Sequence, residues 1–210
     1  MPKKRLLQNS WLYLITDNAL LKGRDIIVTL SRAIAAGVDI IQYRDKDASD
    51  REFLETGTEI KNLTERKKAL FIVNDRVDLA IQLDSDGIHL GQEDMSVGEA
   101  RRLLGKDKII GISTHSIAQL YEAAKKDVDY ISIGPIFGTS IKPDYNAIGL
   151  EPLRIAANEI KIPFVAIGGI NESNLDTVVS AGAKRIAVVR AILSSEDTFL
   201  ATKKLADKLR

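Results

Sequence analysis

The chain has 210 residues, of which 45% are hydrophobic, so it can bury a full core. Its 30 basic and 29 acidic residues give a formal net charge of +1, which directs it toward neither nucleic acid nor a membrane surface. The absence of cysteine excludes disulfides, zinc–thiolate sites and cysteine nucleophiles. The basic segment Met1–Arg5 lacks a following signal-type apolar core, and no apolar run approaches the ~20 residues that span a bilayer. We therefore expect a cytoplasmic protein. Whether it forms a homo-oligomer stays open.

Eight short apolar runs are typical of buried parallel strands. In chain order we expect them at Trp11–Thr16, Val38–Arg44, Leu70–Asn74, Gly87–Leu90, Lys108–Ser113, Tyr130–Gly134, Pro163–Ile167 and Arg185–Val189.

Helical patterns with start and stop signals follow these runs. The predicted helices are Asp25–Ala36, Asp50–Lys67 after a Ser49–Glu52 capping box, Val77–Leu83, a helix from the Ser96–Glu99 box to Leu104, Ser116–Lys126, Leu150–Glu159, a helix capped by Ser173 or Asn174 and ending at Ala181, and Thr198–Leu209. Eight alternating units without an antiparallel signal predict an α/β fold, a single-domain (β/α)8 TIM barrel over residues 1–210. A doubly wound sheet is the alternative.

In such a barrel the carboxyl ends of all strands meet at one face, which is where TIM-barrel enzymes keep their chemistry. The residues expected at that face combine cations, carboxylates, hydroxyls and glycine turns. They are Gln42, Arg44, Lys46, Asn74, Asp75, Asp94, Ser113, Thr114, His115, Thr139, Ser140, Lys142, Gly168, Gly169, Val189 and Arg190. A phosphorylated anion held with Mg²⁺ fits this set.

Asp75 and Asp94 each follow a predicted strand, and two such carboxylates suit a hard cation such as Mg²⁺. The alternative is that both are helix N-caps, which are common. The Gly168–Gly169 turn and the Val189–Arg190 turn match the phosphate site that recurs after strands seven and eight of many barrels. Two phosphate-rich sites on one face suggest a transfer between two phosphorylated small molecules.

Three residues have plainer interpretations. His89 lies inside a predicted strand, where a hydrogen-bond partner in the barrel is expected. His115 lies in a loop and is interpreted as a cap or a substrate contact rather than a metal ligand or general base. Tyr13 is interpreted as a packing residue.

Seven stretches, in this order, resemble the thiamine phosphate synthase family over nearly the whole chain. They are QYRDK at 42–46, VND at 73–75, DGIHLGQED at 86–94, GISTHS at 111–116, GPIF at 134–137, IGGI at 167–170 and AVV at 187–189.

The resemblance implies a transferase that joins a pyrimidine, carried as a methylene diphosphate, to a thiazole phosphate and releases pyrophosphate. It implies that Asp75 and Asp94 bind Mg²⁺ and that Arg44, Lys46, Ser113 and Lys142 are catalytic. The substrate contacts that it implies are Gln42, Tyr43, Arg44, Asp45, Lys46, Asn74, Ser113, Thr139, Ser140, Ile141, Lys142, Gly169, Val189 and Arg190. A diphosphate on an electron-rich aminopyrimidine favours a dissociative path, which needs stabilisation of the leaving group more than a nucleophile or base.

Two positions depart from the family pattern. Ile141 stands where a hydroxyl is usual, and Arg190 stands where serine is frequent. Two alternatives also stay open. One is the related thiazole tautomerase, which carries a histidine where this chain has Pro135. The other is an inactive barrel that senses or stores a thiamine precursor.

Overall fold

The computed structural model describes residues 3–138 and 146–210, in which eight parallel strands form a closed barrel. The strands are β1 (Leu12–Ile15), β2 (Ile40–Tyr43), β3 (Leu70–Asn74), β4 (Gly87–Leu90), β5 (Ile109–Thr114), β6 (Tyr130–Ile133), β7 (Phe164–Ile167) and β8 (Ile186–Val188). They pair in sequence order, and β8 also pairs with β1. This closure confirms the predicted barrel and excludes the doubly wound sheet, which is open.

Eleven helices occur in the same part of the chain. They are α1 (Lys3–Gln8), α2 (Asn18–Leu21), α3 (Ile26–Ala36), α4 (Asp50–Lys67), α5 (Val77–Gln82), α6 (Val97–Leu104), α7 (Ile117–Ala123), α8 (Glu151–Glu159), α9 (Leu175–Ser180), α10 (Arg190–Leu193) and α11 (Thr198–Leu209). All eight predicted helices are present with ends shifted by at most three residues, whereas α1, α2 and α10 were not predicted. Among the described residues, no helix is both long and apolar enough to cross a membrane.

Helix starts follow the predicted caps with one exception. Ser49 accepts the Glu52 N–H while Glu52 bonds back to Ser49, a complete capping box at α4. Ser96 accepts the Glu99 N–H in the same way at α6. At α9 the expected side-chain cap is wrong: Asn174 occupies the N-cap position without a capping bond. Its side-chain amide donates instead to the Gly169 carbonyl, 2.9 Å away.

Alternation along each strand divides the core into two layers. Tyr13 and Ile15 of β1 point into the barrel, where they join a cluster that also contains Leu7 of α1. Leu12 and Leu14 point outward and pack under the helices. Both layers are buried, which explains why the strands are apolar throughout rather than alternating in polarity. The residues near the carboxyl ends of the strands are then left to form a site.

Carboxylates at the amino ends of the strands have a structural use. Asp39, just before β2, accepts the N–H groups of Trp11 and Leu12 at 2.8 and 3.1 Å. Asp86, just before β4, accepts the Phe71 N–H at 2.9 Å. Asp129, just before β6, accepts the Ile110 N–H at 2.9 Å.

Helix α1 contacts the same end of the barrel. Its Lys3 and Lys4 pair with Asp86 and Asp129 at 2.9 and 2.8 Å. Its Leu7 side chain is 2% exposed and closes the inner core. This end of the barrel therefore supports the fold, and the opposite end is available for chemistry.

Candidate active site

A cavity of about 500 Å³ opens among the carboxyl ends of the strands. Its volume is in the range of small-molecule sites. Strands β1, β2, β3, β4, β5, β6, β7 and β8 all contribute to its wall, as do the residues that follow several of them. Of the residues predicted from the sequence, the wall includes Gln42, Arg44, Asn74, Ser113, Gly169, Val189 and Arg190. The convergence expected of a parallel barrel therefore brings seven predicted contacts together.

Tyr43 faces away from this cavity. Alternation along β2 points Gln42 inward and Tyr43 outward, where its ring lies 4.2 Å from the ring of Phe53 on α4, centroid to centroid. The side chain is 1% exposed, and burial raises its pKa to about 12. The prediction that Tyr43 contacts substrate is therefore wrong for its side chain, which is a core residue between the barrel and α4.

Asp45 and Lys46 lie in the loop after β2, outside the cavity wall. Asp45 accepts the N–H groups of Asp47 and Ala48 at 3.2 Å each, so its carboxylate shapes this loop. Lys46 is exposed and makes no hydrogen bond or ion pair within residues 3–138 and 146–210. Its ammonium group is consequently available to an anion at the mouth of the barrel. Thr139, Ser140, Ile141 and Lys142, also predicted from the sequence, lie outside the described residues.

Asp75 and Asp94 follow the neighbouring strands β3 and β4. The Asp75 N–H donates to the His89 carbonyl at 2.9 Å, which extends the pairing of these strands. Asp75 has φ +59°, a left-handed conformation that aspartate tolerates better than most residues. Helix α5 begins after Arg76 and α6 after Ser96, so the alternative that these two carboxylates are helix caps is wrong.

Asp94 is held by the loop in which it lies. Its Oδ2 accepts the Gly91 N–H at 2.6 Å, which folds the loop back onto the end of β4. A Cβ on residue 91 would stand 2.9 Å from that oxygen, so glycine makes the close approach feasible. Neither carboxylate belongs to the cavity wall. Both instead follow strands that end at the cavity mouth.

Arg44 is held in place through its backbone by Thr16. The Thr16 hydroxyl donates to the Arg44 carbonyl at 3.0 Å and accepts the Arg44 N–H at 2.9 Å. The guanidinium group itself forms no hydrogen bond or ion pair with any described residue. A fixed backbone with an uncommitted guanidinium at a cavity suits recognition of a phosphate. Thr16 was not predicted as a site residue.

The turn after β7 is built from two glycines in left-handed conformations, Gly168 at φ +100° and Gly169 at φ +64°. A Cβ on residue 168 would lie 2.4 Å from the Cα of Pro135, so only glycine fits there. The Gly169 carbonyl accepts side-chain amides from Asn171 and Asn174 at 3.3 and 2.9 Å. The turn is therefore tightly fixed at the wall of the cavity, which Val189 and Arg190 also line.

Arg24 ties the turn after β8 to the rest of the barrel. Its guanidinium donates to the carbonyls of Leu21 and Ser195 at 3.0 and 2.8 Å and also to the Leu193 carbonyl. These carbonyls lie at or beyond the ends of α2 and α10, where helices leave such groups without intrahelical partners. The position of α10, which begins at Arg190, depends on these contacts.

Side chains in the cavity wall form a continuous set of hydrogen bonds inside the barrel. Gln42 Nε2 donates to Tyr13 Oη at 2.8 Å, and Tyr13 Oη lies 2.8 Å from Tyr130 Oη. Tyr130 Oη lies 2.8 Å from His89 Nδ1, and His89 Nε2 lies 2.9 Å from Ser113 Oγ. The expectation that His89 has a partner in the barrel is confirmed.

Two tyrosines were thus missed as polar residues. From the sequence, Tyr13 is interpreted as a packing residue and Tyr130 only as the first residue of a strand. The available signal was position: both lie at inward-facing strand sites, where a hydroxyl must find a partner when buried. The register sets Tyr130 opposite Gly111, whose missing side chain leaves room for the ring.

His115 forms a separate contact at the end of β5. Its Nδ1 lies 2.6 Å from the Gly134 carbonyl, which can only accept, so Nδ1 carries a proton. This bond joins the end of β5 to the end of β6 at the cavity wall. This contact is neither a helix cap nor a substrate contact, so the interpretation of His115 as one or the other stays a prediction.

Comparison with known proteins assigns the chain to a family. The family model for thiamine monophosphate synthase matches residues 12–192. The thiamine-phosphate synthase of Clostridium acetobutylicum is 44% identical over 199 residues, which is 95% of this chain and 91% of that protein. The thiamine-phosphate synthase of Chloroflexus aurantiacus is 45% identical over 195 residues, 92% of this chain and 90% of that one. The solved structure of thiamine phosphate pyrophosphorylase from Pyrococcus furiosus has a TM-score of 0.88 and 39% identity, covering 99% of this chain and 96% of that one. The chain belongs to the thiamine monophosphate synthase family.

Proposed function

We propose that this chain is a thiamine-phosphate synthase that joins a 4-aminopyrimidine, carried as its methylene diphosphate, to a thiazole phosphate and releases pyrophosphate. The proposal rests on the cavity of this chain, which belongs to the thiamine monophosphate synthase family. Its wall combines Gln42, Arg44, Asn74 and Ser113 on one side with the Gly169 and Arg190 turns on the other. Two polar regions in one cavity suit two phosphorylated substrates that must meet.

The diphosphate is assigned to the side of Arg44. The uncommitted guanidinium of Arg44 and the exposed ammonium of Lys46 are both available to oxygens that gain charge as the carbon–oxygen bond breaks. Asn74 offers an amide at the same side of the cavity. Lys142 is assigned to the same group by its place in the family motif.

Asp75 and Asp94 are assigned to Mg²⁺. No cluster of three or more histidine, aspartate or glutamate side chains suited to a metal occurs among the described residues. That agrees with Mg²⁺, which commonly binds one or two carboxylates plus waters and substrate phosphates rather than a cage made by the protein alone. When bound, the ion would neutralise charge on the departing diphosphate. The two carboxylates would hold it there, because they follow adjacent strands.

The thiazole phosphate is assigned to the last two turns. Gly169 and Val189 offer backbone N–H groups, and Arg190 adds a positive charge. Thr139, Ser140 and Ile141 complete this side by their place in the motif. Arg190 replaces the hydroxyl frequent in the family with a charged group, which suits a doubly charged phosphate.

The reaction is assigned a dissociative course. Arg44 and Lys46 stabilise the leaving diphosphate, and Gln42 and Ser113 orient the pyrimidine whose ring stabilises the remaining carbocation. The thiazole ring nitrogen then forms the new carbon–nitrogen bond with its lone pair and releases no proton. No general base or activated nucleophile is therefore required.

The direct test is incubation of the purified chain with both phosphorylated substrates and Mg²⁺. We expect thiamine phosphate and pyrophosphate to appear in equal amounts, measured by chromatography with fluorescence detection and by a coupled pyrophosphate assay. The inactive sensor alternative predicts binding without product. Absence of product from a folded sample that binds both substrates would reverse the assignment.

A second test separates the synthase from the related tautomerase. Position 135 is proline, which lines the cavity and cannot transfer a proton. We therefore predict no isomerisation of the carboxylated thiazole phosphate when the chain is incubated with it alone in deuterated water. Deuterium incorporation at a rate comparable with coupling would favour the tautomerase.

The remaining expectations stay predictions. They are a cytoplasmic location, a single domain over residues 1–210, small-molecule substrates without nucleic-acid or membrane partners, and an open oligomeric state.

A further inference from the structure

The hydrogen bonds along the cavity wall connect two proposed contacts of the pyrimidine, Gln42 and Ser113. The links run from Gln42 through Tyr13, Tyr130 and His89 to Ser113, with donor–acceptor distances between 2.8 and 2.9 Å. All five side chains are at least 92% buried, because the most exposed of them, Ser113, is 8% exposed. We call this chain of side chains the relay.

The direction of the relay follows from its first donor. Gln42 Nε2 has only hydrogens to offer, so Tyr13 Oη accepts. The Tyr13 hydrogen then has Tyr130 Oη as its acceptor, 2.8 Å away. Tyr130, having accepted one hydrogen, directs its own to His89 Nδ1 at 2.8 Å.

The second half continues the same direction. A neutral imidazole that accepts at Nδ1 carries its proton on Nε2, from which it donates to Ser113 Oγ at 2.9 Å. Ser113 then accepts from below, and its own hydrogen remains to be donated. At the other end, the side-chain oxygen of Gln42, Oε1, receives no hydrogen bond from the described residues.

We propose that Tyr13, Tyr130 and His89 are positioning residues that jointly set Gln42 as an acceptor and Ser113 as a donor toward the pyrimidine. An aminopyrimidine offers the matching groups, an amino hydrogen for the glutamine carbonyl and a ring nitrogen for the serine hydroxyl. The inference deepens the proposed function and rests on it for the identity of the ligand. The direction in which the hydrogens of the relay point does not depend on a bound ligand, so it can be measured in the free protein.

Because the relay is buried, its hydrogen bonds can change direction only together. Desolvation raises the pKa of both Tyr13 and Tyr130 well above the usual phenol value, so both remain neutral hydroxyls. If one hydrogen bond of the relay reversed its direction alone, two hydrogens would face each other or a buried donor would lose its acceptor. Such an unsatisfied buried group is costly, so the links keep a common direction.

The order can be read by nitrogen NMR because the chain has only two histidines. In protein labelled with ¹⁵N-histidine, we expect His89 to be neutral with its proton on Nε2. His115, whose Nδ1 bonds to the Gly134 carbonyl, should show the opposite tautomer and serves as an internal reference. A His115→Asn variant, used only for assignment, removes one set of signals. A proton on Nδ1 of His89, or a charged ring, would overturn the proposed direction.

Removing a hydroxyl tests the links. Tyr130→Phe keeps the ring, which stacks on His89 at a centroid distance of 5.4 Å, but deprives Nδ1 of its donor. We expect the His89 signals to shift toward a mixture of tautomers. Tyr13→Phe breaks the relay one link earlier, so the direction set by Gln42 no longer reaches His89, and we expect a smaller shift of the same kind. Unchanged signals in Tyr130→Phe would contradict the relay.

Kinetics separate positioning from a general structural effect. Tyr130→Phe should raise the KM for the pyrimidine diphosphate about tenfold, equivalent to about 1.4 kcal/mol. The KM for the thiazole phosphate should stay within about twofold. The matched control is Tyr121→Phe, which removes an exposed hydroxyl bonded to Glu159 outside the cavity and should change neither value.

Different results would contradict the proposed function and the positioning role of the relay. If no thiamine phosphate forms but His89 has the expected tautomer, the proposed function fails and the relay stands. If the enzyme is active but Tyr130→Phe raises both KM values equally, or neither, the positioning role is wrong.

Discussion

Replacement of Asp94 by asparagine should lower the turnover number by about a hundredfold or more, the effect expected when one preorganised group that stabilises developing charge is removed. Asparagine retains an oxygen that can accept the Gly91 N–H, now 2.6 Å from Oδ2, so the loop should keep its shape. Only the negative charge needed to hold Mg²⁺ is lost. The matched control is Glu93→Gln, which removes an adjacent exposed carboxylate that is assigned no role.

The readout should include binding as well as turnover. In the unaltered chain we expect pyrophosphate to bind more tightly in the presence of Mg²⁺ than in excess chelator, as measured by calorimetry. Asp94→Asn should bind equally weakly in both conditions, while Glu93→Gln should keep the difference. Normal turnover of Asp94→Asn, or activity of the unaltered chain in chelator, would show that Asp94 does not hold a metal.

Replacement of Gly111 by alanine should strongly lower the stability of the fold. A Cβ on residue 111 would lie 2.1 Å from Cζ of Tyr130 and 2.5 Å from its Oη. Tyr130 is fully buried and cannot move without displacing Tyr13 and His89. Forced overpacking of this kind typically costs about 1–3 kcal/mol, and we expect the upper part of that range in the free energy of unfolding.

The same substitution elsewhere provides the control. Gly98 lies on the exposed face of α6, and a Cβ there would meet no atom within 4 Å. Gly98→Ala should therefore stabilise the protein by roughly 0.5–1 kcal/mol, because alanine is the better helix former. Both variants can be measured by urea denaturation followed by circular dichroism. Equal effects of the two variants would show that the space around Gly111 is not the cause.

The regular elements could be predicted because their signals are local. A strand buried on both faces needs an uninterrupted apolar run, and the run at Leu70–Asn74 gave β3 with both ends correct. The short helices α1, α2 and α10 gave no such signal. Helices α2 and α10 have only four residues, too few for a period to emerge, and tertiary contacts such as those of Arg24 hold them.

The site could be predicted only in part, for a related reason. The convergence of strand ends correctly placed Gln42, Arg44 and Ser113 at one cavity. It does not distinguish inward from outward residues, so Tyr43 was assigned to the site although alternation turns it into the core. The contact between Tyr13 and Tyr130 joins positions 117 residues apart, and no local pattern reports it.

At the amino end of the barrel, an aspartate precedes every second strand from β2 to β6. Asp39, Asp86 and Asp129 precede β2, β4 and β6, and each carboxylate holds the backbone of the strand before, so they fasten β1 to β2, β3 to β4 and β5 to β6. Before β8 the position belongs to Arg185, whose guanidinium donates to the carbonyl of Gln8 instead. The aspartates thus join the strands of the barrel in pairs. Near the place where β8 meets β1, the contact comes instead from an arginine that reaches the end of α1.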